Sequence, residues 1–264
     1  LYLAGVRAGA QAPAPAAPPQ QDFSKVEIKT TRLAEHFYTL EGSGGTIGVL
    51  AGPDGVFMVD TQYAPLTDKL VAAVKQVSDG RIRFIVNTHV HPDHTGGNEN
   101  FAKLGATLLS RPQLRARLAA RPAPAAALAT ITYDNTLSFH MNGDEVELIP
   151  VRGAHTDGDT MVKFVKADVI MSGDFYRQVG YPFPDRSSGG SVQGLIDGLQ
   201  QMADAAGPST KIVPGHGIVV DRTEVLAHRA MAIAIRDKVT ALVRQGRTAD
   251  EIVAAKPTAE YDAK

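Results

Sequence analysis

Three histidines and an aspartate fall within six consecutive residues of this 264-residue chain, in the run Asn87-Thr88-His89-Val90-His91-Pro92-Asp93-His94. Residues Arg81 to Val86 (RIRFIV), just before it, mix β-branched and aromatic side chains and read as a short buried strand. Alternate side chains of an extended chain point the same way, so a strand-like exit aims His89 and His91 at one point. Pro92 then fixes φ, removes a donor and turns the chain, which lets Asp93 and His94 reach a second point nearby. Packing these groups together without a cation would leave buried polar atoms unpaired, at about 1–3 kcal/mol each. The pattern therefore points to one loop supplying half the ligands of two adjacent metal ions. The sequence contains no cysteine, so such ions would be held by nitrogen and oxygen alone.

Three further polar residues follow strand-like runs and sit beside glycines. His155 lies in Arg152-Gly153-Ala154-His155-Thr156-Asp157-Gly158-Asp159, Asp174 in Met171-Ser172-Gly173-Asp174, and His216 in Val213-Pro214-Gly215-His216-Gly217. A lone His or Asp in such a turn is ordinarily a turn or cap residue. With the first motif, however, four strand-end loops each offering ligands are better explained by convergence on one cluster. His36, His140 and His228 match no such element and read as strand-face or helix-surface residues.

The segments that must position these groups alternate strands and helices. VEIKT (26–30), HFYTLEG (36–42), TIGVLAG (46–52) and VFMVD (56–60) read as an antiparallel meander. Ser43-Gly44-Gly45 forms a short, flexible tip within it. Pro65 to Val77 has helical spacing. After the motif, residues 98–104 suit a short helix, 106–109 a strand, and the Ala-rich 114–129 a helix interrupted by Pro122 and Pro124. Strands follow at 136–140, 145–151, 160–166 and 169–172, then a helix at 192–205, a strand at 211–213 and a long closing helix at 223–245. Each half runs strands first and helices after, which suits an α/β sandwich of four layers, two sheets face to face with helices outside.

A formal net charge of −1 and the absence of Lys/Arg runs argue against nucleic acid or a membrane surface as partner and leave a small-molecule substrate. No apolar run approaches membrane-spanning length. Residues 1–21 are rich in Ala, Pro and Gln and read as a disordered tether. Within them Ala8-Gly9-Ala10 resembles the small-x-small cleavage site of a secretory signal, so a signal remnant and export to a bacterial periplasm are expected. Residues 22–264 are then expected to form a single metal-binding domain.

The ordered set Asp60, His89-x-His91-x-Asp93-His94, His155, Asp174 and His216 resembles the metallo-β-lactamase superfamily, from Phe23 to about Arg222. The resemblance implies an αβ/βα sandwich with a dinuclear metal centre at one edge. It implies that His89, His91 and His155 bind the first ion, that Asp93, His94 and His216 bind the second, and that Asp174 bridges or borders it. The pattern is closest to subclass B1 β-lactamases, with aspartate where many of those carry a metal-binding cysteine. Thioesterases and lactonases of the superfamily commonly carry this aspartate. Arg177, three residues on, matches the spacing at which B1 enzymes hold the substrate carboxylate, and guanidinium could do so through a bidentate pair. A surface ion pair is the equal alternative. The Glu41–Gly45 tip resembles a truncated substrate-covering hairpin, which would leave an open cleft.

Two zinc ions per chain are the expected cofactor, although a thiolate-free donor set also suits iron or manganese. The expected chemistry is attack of metal-activated hydroxide on a carbonyl, with Asp93 orienting the nucleophile and relaying its proton. Asp60 and Asp159 are candidates for fixing the ligand imidazoles or their loops. Hydrolysis of a β-lactam, a cyclic amide, is the leading expectation. A glyoxalase II-like thioesterase or lactonase is the alternative, and a phosphodiesterase or mononuclear iron oxygenase is less favoured.

Overall fold

The chain is described by a computed structural model over residues 21–262. The tether and signal-remnant expectations fall, but for Gln21, outside the described residues. Seven strands form one sheet in chain order: β1 (Lys29–Arg32), β2 (Phe37–Glu41), β3 (Ile47–Gly52), β4 (Gly55–Val59), β5 (Ile82–Val86), β6 (Thr107–Ser110) and β7 (Ile131–Thr132). The first four pair antiparallel, β3 and β4 closing through Pro53-Asp54 with Gly52 opposite Gly55. From β4 onward the pairing is parallel. Parallel neighbours need crossovers. These are supplied by α1 (Thr67–Lys75), by α2 (Pro92–Thr95) with α3 (Asn98–Lys103), and by α4 (Pro112–Ala119).

The second sheet has the order β12-β11-β10-β9-β8, from β8 (Leu137–Met141), β9 (Asp144–Pro150), β10 (Thr160–Phe164), β11 (Val169–Met171) and β12 (Lys211–Val213). Its pairs are antiparallel except β11 with β12, which α5 (Val192–Ala205) connects in parallel. The chain then runs into α6 (Arg222–Arg244) and α7 (Ala249–Ala254). No described helix is long and apolar enough to cross a membrane.

Strand alternation builds the layers. On β4, Phe57 and Val59 face the other sheet, where Val146, Leu148, Val162 and Phe164 meet them. The ring centroids of Phe37 and Phe164 lie 4.5 Å apart across this interface. The intervening Val56 and Met58 face outward onto Leu70 and Val74 of α1 and Phe101 of α3. Met161, Ile170 and Ile212 likewise face outward, against Leu195, Leu199 and Met202 of α5 and Val225 of α6. Both faces of each sheet are buried, giving the expected four-layer sandwich.

The elements differ from sequence expectation in four places. Helix α4 ends at Ala119 rather than near residue 129, because Pro122 and Pro124 cannot continue it. Strand β1 starts at Lys29, later than the VEIKT run suggests. The two-residue β7 is too short to leave a periodic signal. Helix α7 lies beyond the closing helix expected at 223–245, and its start is marked by the Thr248-x-x-Glu251 capping box.

Candidate metal centre

The C-terminal ends of β4, β5, β11 and β12 and the exit of β9 deliver Asp60, the His89–His94 loop, Asp174, His216 and His155 to one edge of the sandwich. Their side chains form two groups. His89, His91, His155 and Asp174 each offer one ligand atom within 4.8 Å of the others, and Asp93, His94 and His216 do the same. All seven residues singled out as ligands are brought together. The imidazole rings of His89, His91 and His155 stand near-perpendicular to one another, with centroids 4.7–4.9 Å apart.

The inward-facing atoms are spaced for a cation. In the second group His216 Nε2 lies 3.1 Å and His94 Nε2 3.6 Å from Asp93 Oδ2. Asp174 Oδ1 lies 3.2 Å from His94 Nε2 and 3.4 Å from His216 Nε2, while its Oδ2 lies 3.9 Å from His155 Nε2. Asp174 thus reaches both groups with different oxygens. A tetrahedral ion with bonds of about 2.0–2.1 Å separates its ligands by about 3.3–3.4 Å. Three of these atoms, His89 Nε2, His94 Nε2 and Asp174 Oδ1, are buried without a hydrogen-bond partner. Orphaned buried polar atoms converging at that spacing fit a divalent metal.

Behind the inward atoms, the opposite ring nitrogens are held from outside, as metal-binding imidazoles require. His94 Nδ1 lies 2.7 Å from Asp60 Oδ2, and Thr88 donates to Asp60 through both N–H and Oγ1, each at 2.7 Å. His89 Nδ1 meets Thr88 Oγ1 at 3.1 Å. His155 Nδ1 faces the Phe183 carbonyl at 2.5 Å, and His91 Nε2 meets Asp185 Oδ2 at 3.0 Å. Asp159 accepts from the N–H groups of His155 and Thr156 and from Thr156 Oγ1, fixing the loop that carries His155.

Asp60 and Asp159 therefore do what the sequence suggested. Asp185 and the Phe183 carbonyl were missed. A backbone acceptor leaves no trace in residue type, and Asp185 lies 94 positions from the histidine it meets. Asp60 and Gln62 also adopt positive φ, 65° and 49°, a left-handed conformation uncommon for side chains with a Cβ. Such residues concentrate where surrounding structure over-determines the backbone.

The Ser43–Gly45 tip departs from expectation: it is docked rather than flexible. Gly45 N–H donates to the Asp93 carbonyl at 3.1 Å, and Thr46 N–H to that of Gly215 at 2.9 Å. Gln62 Nε2 donates to the Gly45 carbonyl at 2.7 Å. A Cβ at Gly45 would lie 2.0 Å from His94 Cε1, so only glycine lets the backbone press on that ring. The tip is a wall of the site. Arg177 lies beside the cluster, its Nε 3.8 Å from Asp174 Oδ2 and its side chain about one-third exposed.

Charge divides the groups. Burial pushes the His155 imidazole down to about 4 and His89 well below its usual range. Burial also opposes charge on His94, yet the Asp174 and Asp60 carboxylates hold it well above that range. The Asp174 and Asp93 carboxylates beside it raise His216 to about 9. Burial would raise Asp174, but His94 and His216 keep it well below the carboxylate range. In the first group His89 and His155 offer neutral nitrogens; the second is a charged set in which protons and a divalent cation compete for the same places.

Residues 40–216 match the family model described as the metallo-beta-lactamase superfamily. The chain is 24% identical over 156 residues to a metallo-beta-lactamase type 2 of Elizabethkingia meningoseptica, covering 56% of this chain and 61% of that protein. It is 35% identical over 65 residues to a coenzyme F420H2 oxidase of Methanothermobacter marburgensis, 23% of this chain and 16% of that one. Both curated relatives are thus matched over less than two thirds of their length. Among solved structures, a metallo-beta-lactamase from Pontibacter korlensis superposes with a TM-score of 0.69 at 15% identity, covering 78% of this chain and 99% of that one; at that identity the likeness shows the fold. The family match spans strands β3 to β12, the docked tip and every residue of the two ligand groups, and on that ground the chain belongs to the metallo-beta-lactamase superfamily.

Proposed function

We propose that the chain is a dinuclear zinc hydrolase acting on a carbonyl substrate, with the amide of a β-lactam as the leading substrate. The observation that carries the dinuclear reading is the pair of ligand groups sharing Asp174, each with a buried nitrogen that nothing in the protein satisfies. Divalent ions held there would supply Lewis acidity and an activated water nucleophile. His89, His91 and His155 would hold the first, Asp93, His94 and His216 the second, and Asp174 one oxygen to each. Zinc is favoured over iron or manganese because imidazole dominates the first group and the chemistry is hydrolytic.

Asp93 has the second role. Its carboxylate is one-fifth exposed while His94 beside it is buried. It can therefore face an incoming water, orient it toward the carbonyl carbon, accept its proton and return that proton to the departing nitrogen, oxygen or sulfur. Hydrogen bonding from His216 keeps the Asp93 carboxyl low against the pull of burial, so it is ionised and ready to accept. Arg177 would hold a substrate carboxylate. Its Nε has no hydrogen-bond partner, and it is a guanidinium immediately beside Asp174. This favours a substrate bearing an anion near the scissile bond, as a β-lactam does. Support also comes from the likeness to the type 2 enzyme named above.

A second reading has its own observation. Phe183 is 53% exposed with its ring centroid 5.9 Å from that of His155, and an apolar wall at the first group suits the acyl part of a thioester or lactone. Parallel assays on a chromogenic cephalosporin, a glutathione thioester, a lactone and a bis-aryl phosphodiester separate the readings. Cephalosporin turnover whose KM rises about tenfold or more in Arg177→Ala supports the first, in line with about 1.5–3 kcal/mol for a charged hydrogen bond. Thioester or lactone turnover alone would replace it with the second.

A further inference from the structure

Helix α4 carries no residue of either ligand group, yet arginines at its two ends grip the loop that carries His155. Arg111, wholly buried at its N-cap, donates from Nη1 to the Val151 carbonyl at 3.2 Å and the Asp157 carbonyl at 3.1 Å, and from Nη2 to Asp134 at 2.9 Å. One turn from the other end, Arg117 forms a parallel pair with the Asp157 carboxylate, Nε to Oδ1 at 2.8 Å and Nη2 to Oδ2 at 2.7 Å. The remaining nitrogen, Nη1, reaches the Ser187 carbonyl at 3.1 Å. Asp157 N–H in turn donates to the Ser188 carbonyl at 2.8 Å. Gly189 closes over this joint with φ of +79°, where a Cβ would stand 2.9 Å from the Asp157 side chain.

We infer that Arg117 and Asp157 are positioning residues for the first metal group: one guanidinium sets the two loops that orient His155 and His91. Asp157 is two residues from His155, and Ser187 is two residues from Asp185. Asp185 accepts from the N–H groups of Ser187 and Ser188 at 2.9 and 3.3 Å, and its other oxygen meets His91 Nε2 at 3.0 Å. Its own N–H donates to the His155 carbonyl at 2.8 Å. The guanidinium therefore sits where both loops end, one side chain removed from the ring orientation of two of the three histidines. The second group is independent of this joint. His94 is held by Asp60 and backed by Gly45, and the Gly215 carbonyl beside His216 accepts from Thr46. Loosening the joint should thus weaken one group and spare the other. An isolated exposed ion pair would do neither, but a parallel pair with a third bond to a different loop restrains direction as well as distance.

The inference rests on the proposed ligation, and the test separates the two. Zinc is titrated against a chromogenic chelator into wild-type, Arg117→Ala, Arg117→Lys and Asp157→Asn protein, with His91→Ala identifying which of the two binding steps belongs to the first group. Urea midpoints are recorded alongside, and the visible spectrum of the cobalt-loaded protein reports ligand geometry. Arg117→Ala and Asp157→Asn are expected to weaken the first-group step about tenfold, the lower range for loss of a partner behind a ligand. The other step should stay within about twofold, and the cobalt bands of the first group should shift. Lysine at 117 should restore less than half of the loss, because an ammonium cannot make the parallel pair. Unchanged steps, or both steps weakened in proportion to a lowered urea midpoint, overturn the inference while leaving the proposed function intact. Wild-type protein that takes up no zinc overturns both.

Discussion

The two ligand groups stand side by side but are built by opposite means. The first draws on three imidazoles whose outer nitrogens are held by a hydroxyl, a backbone carbonyl and Asp185, mostly from the loop after β11. The second carries the Asp93 carboxylate and two histidines raised toward protonation, and its buried histidine, His94, is held by Asp60 at the end of β4. The contrast teaches that geometry and charge are separately controlled here. The first group depends on loops staying in register, the second on protons leaving. Asp174, buried between them with an oxygen toward each, couples the two.

The largest expected effect follows from that coupling. Asp174→Ala should abolish stoichiometric uptake at both groups and lower kcat by more than the about 100-fold that losing an outer partner can cause. Zinc content after gel filtration checks this, and retention of two tightly held ions would dissolve the comparison. Next come the single-sided variants. Asp60→Asn should weaken the second-group step by about 10–100-fold and Asp185→Asn the first-group step by about 10-fold. Asp60 is expected to matter more because it is wholly buried and also accepts from both donors of Thr88. Chelator competition reads both, and a variant that weakened the opposite step would show the groups are not separately held.

The smallest effect concerns protons. At pH 7 His216, raised to about 9, and His94 both hold protons that a bound ion must displace, whereas His155 at about 4 and His89 are already neutral. Loading the second group at pH 7 should release about two protons, whereas His89 and His155 of the first should release none. As pH rises through about 9 the release should shrink. As pH falls below that value the second group should lose affinity, while at His155 no proton competes until about 4. Calorimetry in buffers of differing ionisation heat measures the difference; equal release from both steps would erase the distinction.

What could be read from the sequence was set by residue type and spacing. His89, His91, Asp93 and His94 declare themselves because few other arrangements place four donors in six residues, and His155, Asp174 and His216 because each follows a strand beside glycine. Asp60 was legible as the end of a strand. The β-branched runs likewise showed where buried strands lie. Asp185 was not legible, since only the folded chain brings it to His91, and neither was the Phe183 carbonyl, which every residue possesses. The Ser43–Gly45 tip misled for a related reason. Its glycines suggested mobility, but they are required by the close approach of backbone to His94, a fact carried by the partner surface rather than by the glycines. Arg117 carries no signal in the sequence, because only the fold sets Asp157 and Ser187 against its guanidinium.

The central claim is that seven side chains hold two ions, one in each group. Crystals of zinc-loaded protein, with anomalous difference maps collected above and below the zinc edge, test it directly. Two edge-specific peaks are expected, one bonded to His89, His91 and His155 and one to Asp93, His94 and His216, with Asp174 between them. A single peak, or peaks elsewhere with these histidines unligated, would contradict it.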